Sequence, residues 1–106
     1  MKIAVTALDS HIGAGMAPNP ETCSHFLFFE NESREIDQIT HNPYRIKSSG
    51  ADIFCAQILI CSGITVLITG SCTRNSLNIL QTANIQVIFT TERTVEEALS
   101  RFQNNL

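Results

Sequence analysis

The chain has 106 residues and a mass of 11.7 kDa, so we expect a single domain over residues 1–106. Only 16% of its residues are charged and the formal net charge is −3, which argues against a nucleic-acid-binding protein because such proteins need a basic surface. The apolar runs are too short to span a membrane and no secretory signal is recognisable, so we expect a cytoplasmic protein without a membrane partner. The four cysteines are then expected to be reduced thiols, used either for packing or for soft-metal chemistry.

The first half of the chain predicts three strands and one long loop. Residues 3–8 are apolar at nearly every position, as in a strand that is buried on both faces. Residues 9–24 are rich in Gly, Pro and Asn, and loops of this length in small domains are typically functional or disordered. The aromatic residues 25–30 predict a second strand. Residues 34–40 predict only a poor edge strand, because their isoleucines miss the period of two.

The second half alternates between helical and strand patterns. The predicted segments are a helix over 51–62, a strand over 64–69, a helix over 73–83, a strand over 85–90 and a terminal helix that begins after Thr94. Ser49 or Asp52 is expected to cap the first of these helices, and Gly63 to end it. The run from Thr94 to Glu97 is a capping box, which marks the start of an amphipathic helix.

The resulting order β-β-β-α-β-α-β-α predicts an α/β protein with a five-stranded mixed sheet and helices on its faces. Strand–helix–strand units imply parallel pairing through right-handed crossovers. Ligands of such sheets bind beyond the carboxyl ends of the parallel strands. We therefore predict a ligand crevice formed by residues 9–23, 48–55 and 70–75.

Several motifs along the whole chain occur in an order and spacing that resemble one known family. They are Met1-Lys2-Ile3-Ala4-Val5, His25-Phe26-Leu27-Phe28-Phe29-Glu30, Ser49-Gly50-Ala51, Gly63-Ile64-Thr65-Val66-Leu67-Ile68-Thr69-Gly70 and Thr94-Val95-Glu96-Glu97-Ala98-Leu99. This pattern is similar to the dinitrogenase iron–molybdenum cofactor biosynthesis family, also called nitrogenase accessory factors.

The resemblance implies a ribonuclease-H-like, three-layer α/β/α fold and a small carrier or assembly protein for metal–sulfur clusters, not an enzyme. The implied ligand is an iron–molybdenum cluster, or a molybdenum–copper sulfide cluster as in the related orange-protein group, and the implied partners are proteins that donate or accept the cofactor. The chain departs from the family in three places, one of which is a Gly-Gly-x-Gly-like approach to the first helix that is reduced to Ser48-Ser49-Gly50. The usual His-Phe-Gly-Arg is replaced by residues 19–22, Asn-Pro-Glu-Thr, and a usual Gly-Pro is replaced by Thr73-Arg74.

The candidate cofactor-binding residues all fall on the predicted crevice. They are His11, Cys23, Ser49, Gly50, Gly70 and Cys72, of which Cys23 and Cys72 are the candidate metal ligands. Thiolates favour soft metals, and the free N–H groups at a helix amino terminus favour an anionic cluster. Cys55 is a weaker candidate in the first helix, and Cys61 is expected to be a buried packing residue that faces away from the crevice.

Two other functions remain open alternatives. A small-molecule or anion-binding protein, or an enzyme, is consistent with this fold if the cluster site has been lost. A protein-binding adaptor is the second alternative, with the aromatic second strand and its edge neighbour as the pairing surface of a homodimer. A two-metal nuclease is disfavoured, because the crevice offers only the carboxylates of Asp9 and Asp52.

Overall fold

The computed structural model describes residues 1–45 and 49–105, and its elements follow the predicted order. They are β1 (Lys2–Ala7), β2 (His25–Glu30), β3 (Gln38–His41), α1 (Ala51–Cys61), β4 (Val66–Thr69), α2 (Arg74–Thr82), β5 (Gln86–Phe89) and α3 (Val95–Asn104). Ser48, which belongs to the predicted crevice, lies outside the described residues.

The five strands form one mixed sheet in the order β3-β2-β1-β4-β5. The strands β1, β4 and β5 pair in parallel, and α1 and α2 lie in the connections around β4. The strands β1, β2 and β3 pair as antiparallel neighbours. The carboxyl ends of β1, β4 and β5 therefore share one edge of the sheet, as the sequence predicts.

Two core layers lie on opposite faces of the sheet, which confirms the three-layer α/β/α architecture. Alternate residues of a strand point to opposite faces. Phe26 and Phe28 pack into the layer with α1 and α2, whereas Leu27 and Phe29 pack into the layer with α3. The sheet is thus covered on both sides, which explains why β1 is apolar at nearly every position.

The edge strand β3 is shorter than the predicted span of 34–40. Its four residues expose Gln38 and Ile39, and Ile36 precedes the strand and packs against the α3 layer. The mismatch of the two isoleucines with a period of two arises because only one of them belongs to the strand.

The helix caps agree with the sequence at α3 but not at α1. The Thr94 hydroxyl oxygen accepts a hydrogen bond from the N–H of Glu97, which confirms Thr94 as the cap of α3. The Thr94 hydroxyl group donates to the Glu97 carboxylate at 2.8 Å, whereas in a full capping box that carboxylate accepts from the backbone N–H of the cap residue. Gly50 is the residue that precedes α1, and its backbone lies in the left-handed region at φ 75°. Within the described part of the chain, no side chain caps this end of the helix. The prediction that Ser49 or Asp52 caps α1 is therefore wrong.

The long loop between β1 and β2 divides between the two layers. Its first part hydrogen-bonds to the segment that begins α3: Val95 donates its N–H to the carbonyl of Ala14, and Glu96 donates to that of Ile12. Its second part, with Ala17 and Cys23, packs into the layer of α1 and α2. The residues that the sequence places in one loop therefore lie on both faces of the sheet.

Candidate functional site

Three segments meet beside the amino termini of α1 and α2, and we call this meeting point the junction. It consists of residues 17–23, 49–55 and 70–76. The Ser71 hydroxyl donates to the carbonyl of Pro18 at 3.0 Å, and the Thr73 hydroxyl donates to the Asp52 carboxylate at 2.6 Å. The predicted crevice segments are therefore brought together, apart from the first part of the long loop.

The predicted residue Gly70 permits the close contact between two of these segments. A Cβ atom at this position would lie 2.7 Å from the carbonyl oxygen of Pro18, which is too close for any side chain. Glycine is needed here for space and not for a left-handed conformation, since Gly70 has no positive φ.

Asn42, which no sequence motif marks as a site residue, fixes the loop before β2. This side chain is fully buried, and its amide N–H group lies within hydrogen-bonding distance of the carbonyls of Pro20, Glu21 and Cys23 at 3.0–3.2 Å. Its amide oxygen accepts from the N–H of Tyr44 at 2.9 Å. The only local sequence signal is its position before Pro43, which predicts no more than a turn.

Three of the four cysteines lie at the junction as buried or half-buried thiols. Burial raises the pKa of Cys23 far above its usual range, and raises the pKa of both Cys55 and Cys72 to about 11. The Cys23 thiol donates to the carbonyl of Pro20 at 3.1 Å, and the Cys55 thiol lies 3.5 Å from the amide oxygen of Asn42. The raised pKa values keep these three thiols protonated at neutral pH when no metal is bound to them.

The arrangement of the other possible metal ligands is a second observation on these thiols. Over residues 1–45 and 49–105, no three His, Cys, Asp or Glu side chains converge in a way that could hold a metal ion. Cys23 and Cys72 therefore have no third ligand of these types beside them in that part of the chain, and metal ligation by the two thiols stays a prediction.

The fourth cysteine, Cys61, is exposed to solvent. The prediction that it is a buried packing residue is therefore wrong. Cys61 lines an open groove of about 620 Å³ between α1 and β3, together with Lys2, Tyr44 and Phe54. Because α1 is apolar almost all round, periodicity did not indicate which of its faces meets solvent.

Glu21 is the unexpected charged group of the junction. Its Oε1 atom is buried and has no hydrogen-bond partner among the described residues. Burial raises the pKa of Glu21, and the negative charge of Asp52 raises it further. This carboxyl group stands in the segment where the family usually has His-Phe-Gly-Arg, so the charge of the site is altered there.

The remaining candidates occupy two different places. Ser49 is exposed and precedes Gly50 at the uncapped start of α1, so both lie beside backbone N–H groups that an anion can use. His11 is exposed, lies 3.5 Å from the Asp9 carboxylate, and is followed by Ile12, which packs on the α3 layer. His11 thus belongs to the part of the loop on the face opposite Cys23.

The thiols are expected to differ strongly in reactivity. We predict that iodoacetamide at pH 8 modifies Cys61 rapidly and Cys72 at least about tenfold more slowly, because the thiolate is the nucleophile and a pKa of about 11 suppresses it. Cys23 and Cys55 should react only after unfolding. Mass spectrometry of timed samples measures the order, with Cys61→Ser as the control that removes the rapid step. Rapid labelling of Cys23 in the folded protein would contradict the assignment.

The substitution Glu21→Gln is expected to stabilise the protein at neutral pH. The folded pKa of Glu21 is raised above its ordinary value of 4.5, so the contribution of Glu21 to stability is present below that pH and is lost as the pH rises through the folded pKa. With solvent screening of this half-buried group, we expect a gain of about 0.5 kcal/mol at pH 7 and none at pH 3. Urea unfolding at both pH values measures it. The control Glu32→Gln, at an exposed turn position, should show no gain.

Comparison with known proteins identifies the family. The family model described as dinitrogenase iron-molybdenum cofactor matches residues 1–105. The chain belongs to this family. The resemblance that the sequence motifs indicate is therefore confirmed. No curated protein matches the chain.

Several solved structures share the fold of this chain. The apo form of the orange protein from Desulfovibrio gigas has 30% sequence identity and a TM-score of 0.89, with 98% of this chain and 88% of that chain covered. A putative NifB protein from Thermotoga has 19% identity, a TM-score of 0.81 and coverages of 97% and 87%. A putative dinitrogenase from Methanocaldococcus jannaschii has 12% identity, a TM-score of 0.69 and coverages of 99% and 89%. These last two show the fold alone.

None of the helices in residues 1–45 and 49–105 combines the length and the apolarity that crossing a bilayer requires.

Proposed function

We propose that this protein binds a metal–sulfur cluster of the iron–molybdenum type non-covalently and carries it between proteins that donate and accept it, without catalysing a reaction. The proposal rests on membership of the dinitrogenase iron-molybdenum cofactor family and on one structural observation, the uncapped start of α1 at the junction. In this proposal the protein works in the cytoplasm and binds neither nucleic acid nor membrane.

The start of α1 suits an anionic cluster as cargo. Metal–sulfide clusters carry negative charge, and the first N–H groups of a helix point out of its amino end with a partial positive charge. At α1 no side chain within the described residues accepts these N–H groups, whereas at α2 the Thr73 hydroxyl oxygen accepts from Ser76 at 3.1 Å. Ser49, which precedes Gly50, is exposed to solvent.

A reconstitution experiment tests this proposal. Purified protein is mixed anaerobically with tetrathiomolybdate and copper, or with molybdate, sulfide and iron, and uptake is followed by visible absorption and metal analysis. In Ser49→Asp a carboxylate stands before α1, which favours the helix but repels an anion, so uptake should fall at least about tenfold. The neutral variant Ser49→Asn is the matched control and should retain uptake.

Two results would contradict the proposal. One is that the wild-type protein takes up no cluster. The other is that uptake falls in Cys72→Ser and Cys23→Ser but not in Ser49→Asp, which would indicate ligation by the thiols instead.

A small organic or inorganic anion is the second candidate ligand. The observation that favours it is the presence of the Glu21 and Asp52 carboxyl groups at the junction: burial raises the pKa of Glu21, and the charge of Asp52 raises it further. Negative charge is therefore already unfavourable there, and a small anion of low charge is repelled less than a highly charged cluster. A thermal-shift screen of phosphates, nucleotides and carboxylates separates the two candidates. Stabilisation by such a compound, without any cluster uptake, would favour a small-molecule-binding protein or an enzyme on this fold.

A further inference from the structure

Two histidines face each other at the end of the β2–β3 hairpin. His25 and His41 are directly opposed in the antiparallel register. The backbone N–H of Asn42 donates to the backbone carbonyl of Ser24, so Ser24 and Asn42 are opposed through a hydrogen bond. The next pair along the two strands, His25 and His41, is therefore a non-hydrogen-bonded pair, in which opposed side chains lie closer together. Their ring centroids are 5.3 Å apart and the rings are nearly perpendicular.

The hydrogen bonds around His25 decide which ring nitrogen is free. The Ser24 hydroxyl has a single hydrogen, which it donates to the carbonyl of Ala7 at 3.2 Å. Its oxygen also lies 2.9 Å from Nδ1 of His25, and Nδ1 is the donor in that contact whenever the hydroxyl hydrogen is directed to Ala7. In the neutral ring the lone pair is then on Nε2, which is the arrangement found in metal-binding histidines whose other nitrogen is held by a hydrogen bond.

We propose that His25 and His41 form a chelating site for a divalent transition-metal ion such as Zn²⁺. Imidazole nitrogen suits Zn²⁺, Cu²⁺ and Ni²⁺. A near-tetrahedral Zn²⁺ about 2.0–2.1 Å from each Nε2 places two ring centroids about 5 Å apart, close to the separation present here. No third His, Cys, Asp or Glu among the described residues completes the set, so water fills the remaining coordination positions.

The surroundings of the pair favour a cation. His25 and His41 share a face of the sheet with Leu27, which packs in the α3 layer, and His41 is exposed to solvent. Asp9 follows β1, the strand that pairs with β2, and its carboxylate is also exposed. The hydrogen bond from the Ser10 N–H lowers the pKa of Asp9, and the nearby histidines His11 and His25 lower it further, so a negative charge stands beside the pair. The site lies on the face opposite the Cys23 layer and is independent of cluster binding at the junction.

Zinc binding to the full chain tests the site. Isothermal titration calorimetry with Zn²⁺ alone is expected to give one bound ion per chain. The substitutions His25→Gln and His41→Gln should each weaken the zinc affinity at least about tenfold. The control variants His11→Gln and Cys61→Ser should change it less than about twofold. In ¹⁵N spectra of the imidazoles, Zn²⁺ should shift Nε2 of His25, whereas Nδ1 keeps its proton.

The variant Ser24→Ala tests the role of the hydroxyl in positioning His25. Without the hydroxyl oxygen as acceptor for Nδ1, a larger fraction of neutral His25 should carry its proton on Nε2. Zinc binding should then weaken several-fold, although His41 is unchanged. Circular dichroism confirms that each variant is folded. The proposal is overturned if folded wild-type protein shows no saturable zinc binding, or if both histidine variants bind as tightly as the wild type. It is also overturned if the loss occurs in Cys61→Ser instead.

Discussion

Replacement of Asn42 by alanine is expected to destabilise the protein by about 3–4 kcal/mol, the largest effect of any substitution considered for this chain. The fully buried amide joins three carbonyl groups of the loop before β2, and accepts the N–H of Tyr44. Alanine leaves these groups buried without partners, and each buried, unpaired polar group costs about 1–3 kcal/mol. We also expect the loop to loosen, because no other side chain in residues 1–45 and 49–105 binds all three carbonyls.

Chemical denaturation and thiol labelling measure this effect together. Asn42→Ala should lower the free energy of unfolding and should open Cys23 to iodoacetamide under native conditions, because the loop that buries this thiol loses its anchor. The matched control is Asn78→Ala at an exposed position of α2, for which we expect a change within about 0.5 kcal/mol. Equal stability of the two variants would show that Asn42 does not anchor the loop.

The second large effect is expected for Gly70→Ala, with a loss of about 2–3 kcal/mol. The added methyl group would lie 2.7 Å from the carbonyl oxygen of Pro18, and this neighbour is backbone, which does not rotate away as a side chain does. The strand end and the loop must separate, and the hydrogen bond from Ser71 to Pro18 is then lost. Thermal unfolding should show a decrease in Tm of about 10 °C or more.

Gly13→Ala is the control for this second prediction. A Cβ atom at Gly13 would be 3.4 Å from the ring of His11, an ordinary contact with a mobile, exposed side chain. We therefore expect its Tm to stay within about 2 °C of the wild type. If Gly70→Ala were equally harmless, the close approach at the junction would not be a requirement of the fold.

The sequence predicts the elements of this fold well, because they depend on local patterns. The helix cap at Thr94 and the glycine after α1 act over a few residues, and the structure confirms both, with Gly63 in the left-handed region at φ 76°. The poor edge strand is also predicted, but its start is placed too early because Ile36 resembles a strand residue. Its burial comes from the distant α3 layer, which a local pattern does not contain.

The site is predicted less completely, because its contacts join residues far apart in the chain. The thiols of Cys23 and Cys72 are placed in the right segments, but their burial depends on packing that the sequence does not display. Asn42 looks like an ordinary turn residue, and Glu21 like a solvated loop charge. Both acquire their roles only when the segment before β2 folds against α1 and the loop after β4.

The hydrogen bonds between the long loop and the start of α3 have a consequence for the order of folding. Ala14 and Val95 lie in the first and last fifths of the chain, so the loop closed by their contact is among the most costly in conformational entropy. During synthesis, α3 leaves the ribosome after the seven elements that precede it, and until then residues 12–16 lack their backbone hydrogen-bond partners at residues 93–96. The first part of the long loop therefore reaches its folded arrangement only after α3 has been made, whereas the contacts of the second part at the junction need only residues that are made earlier.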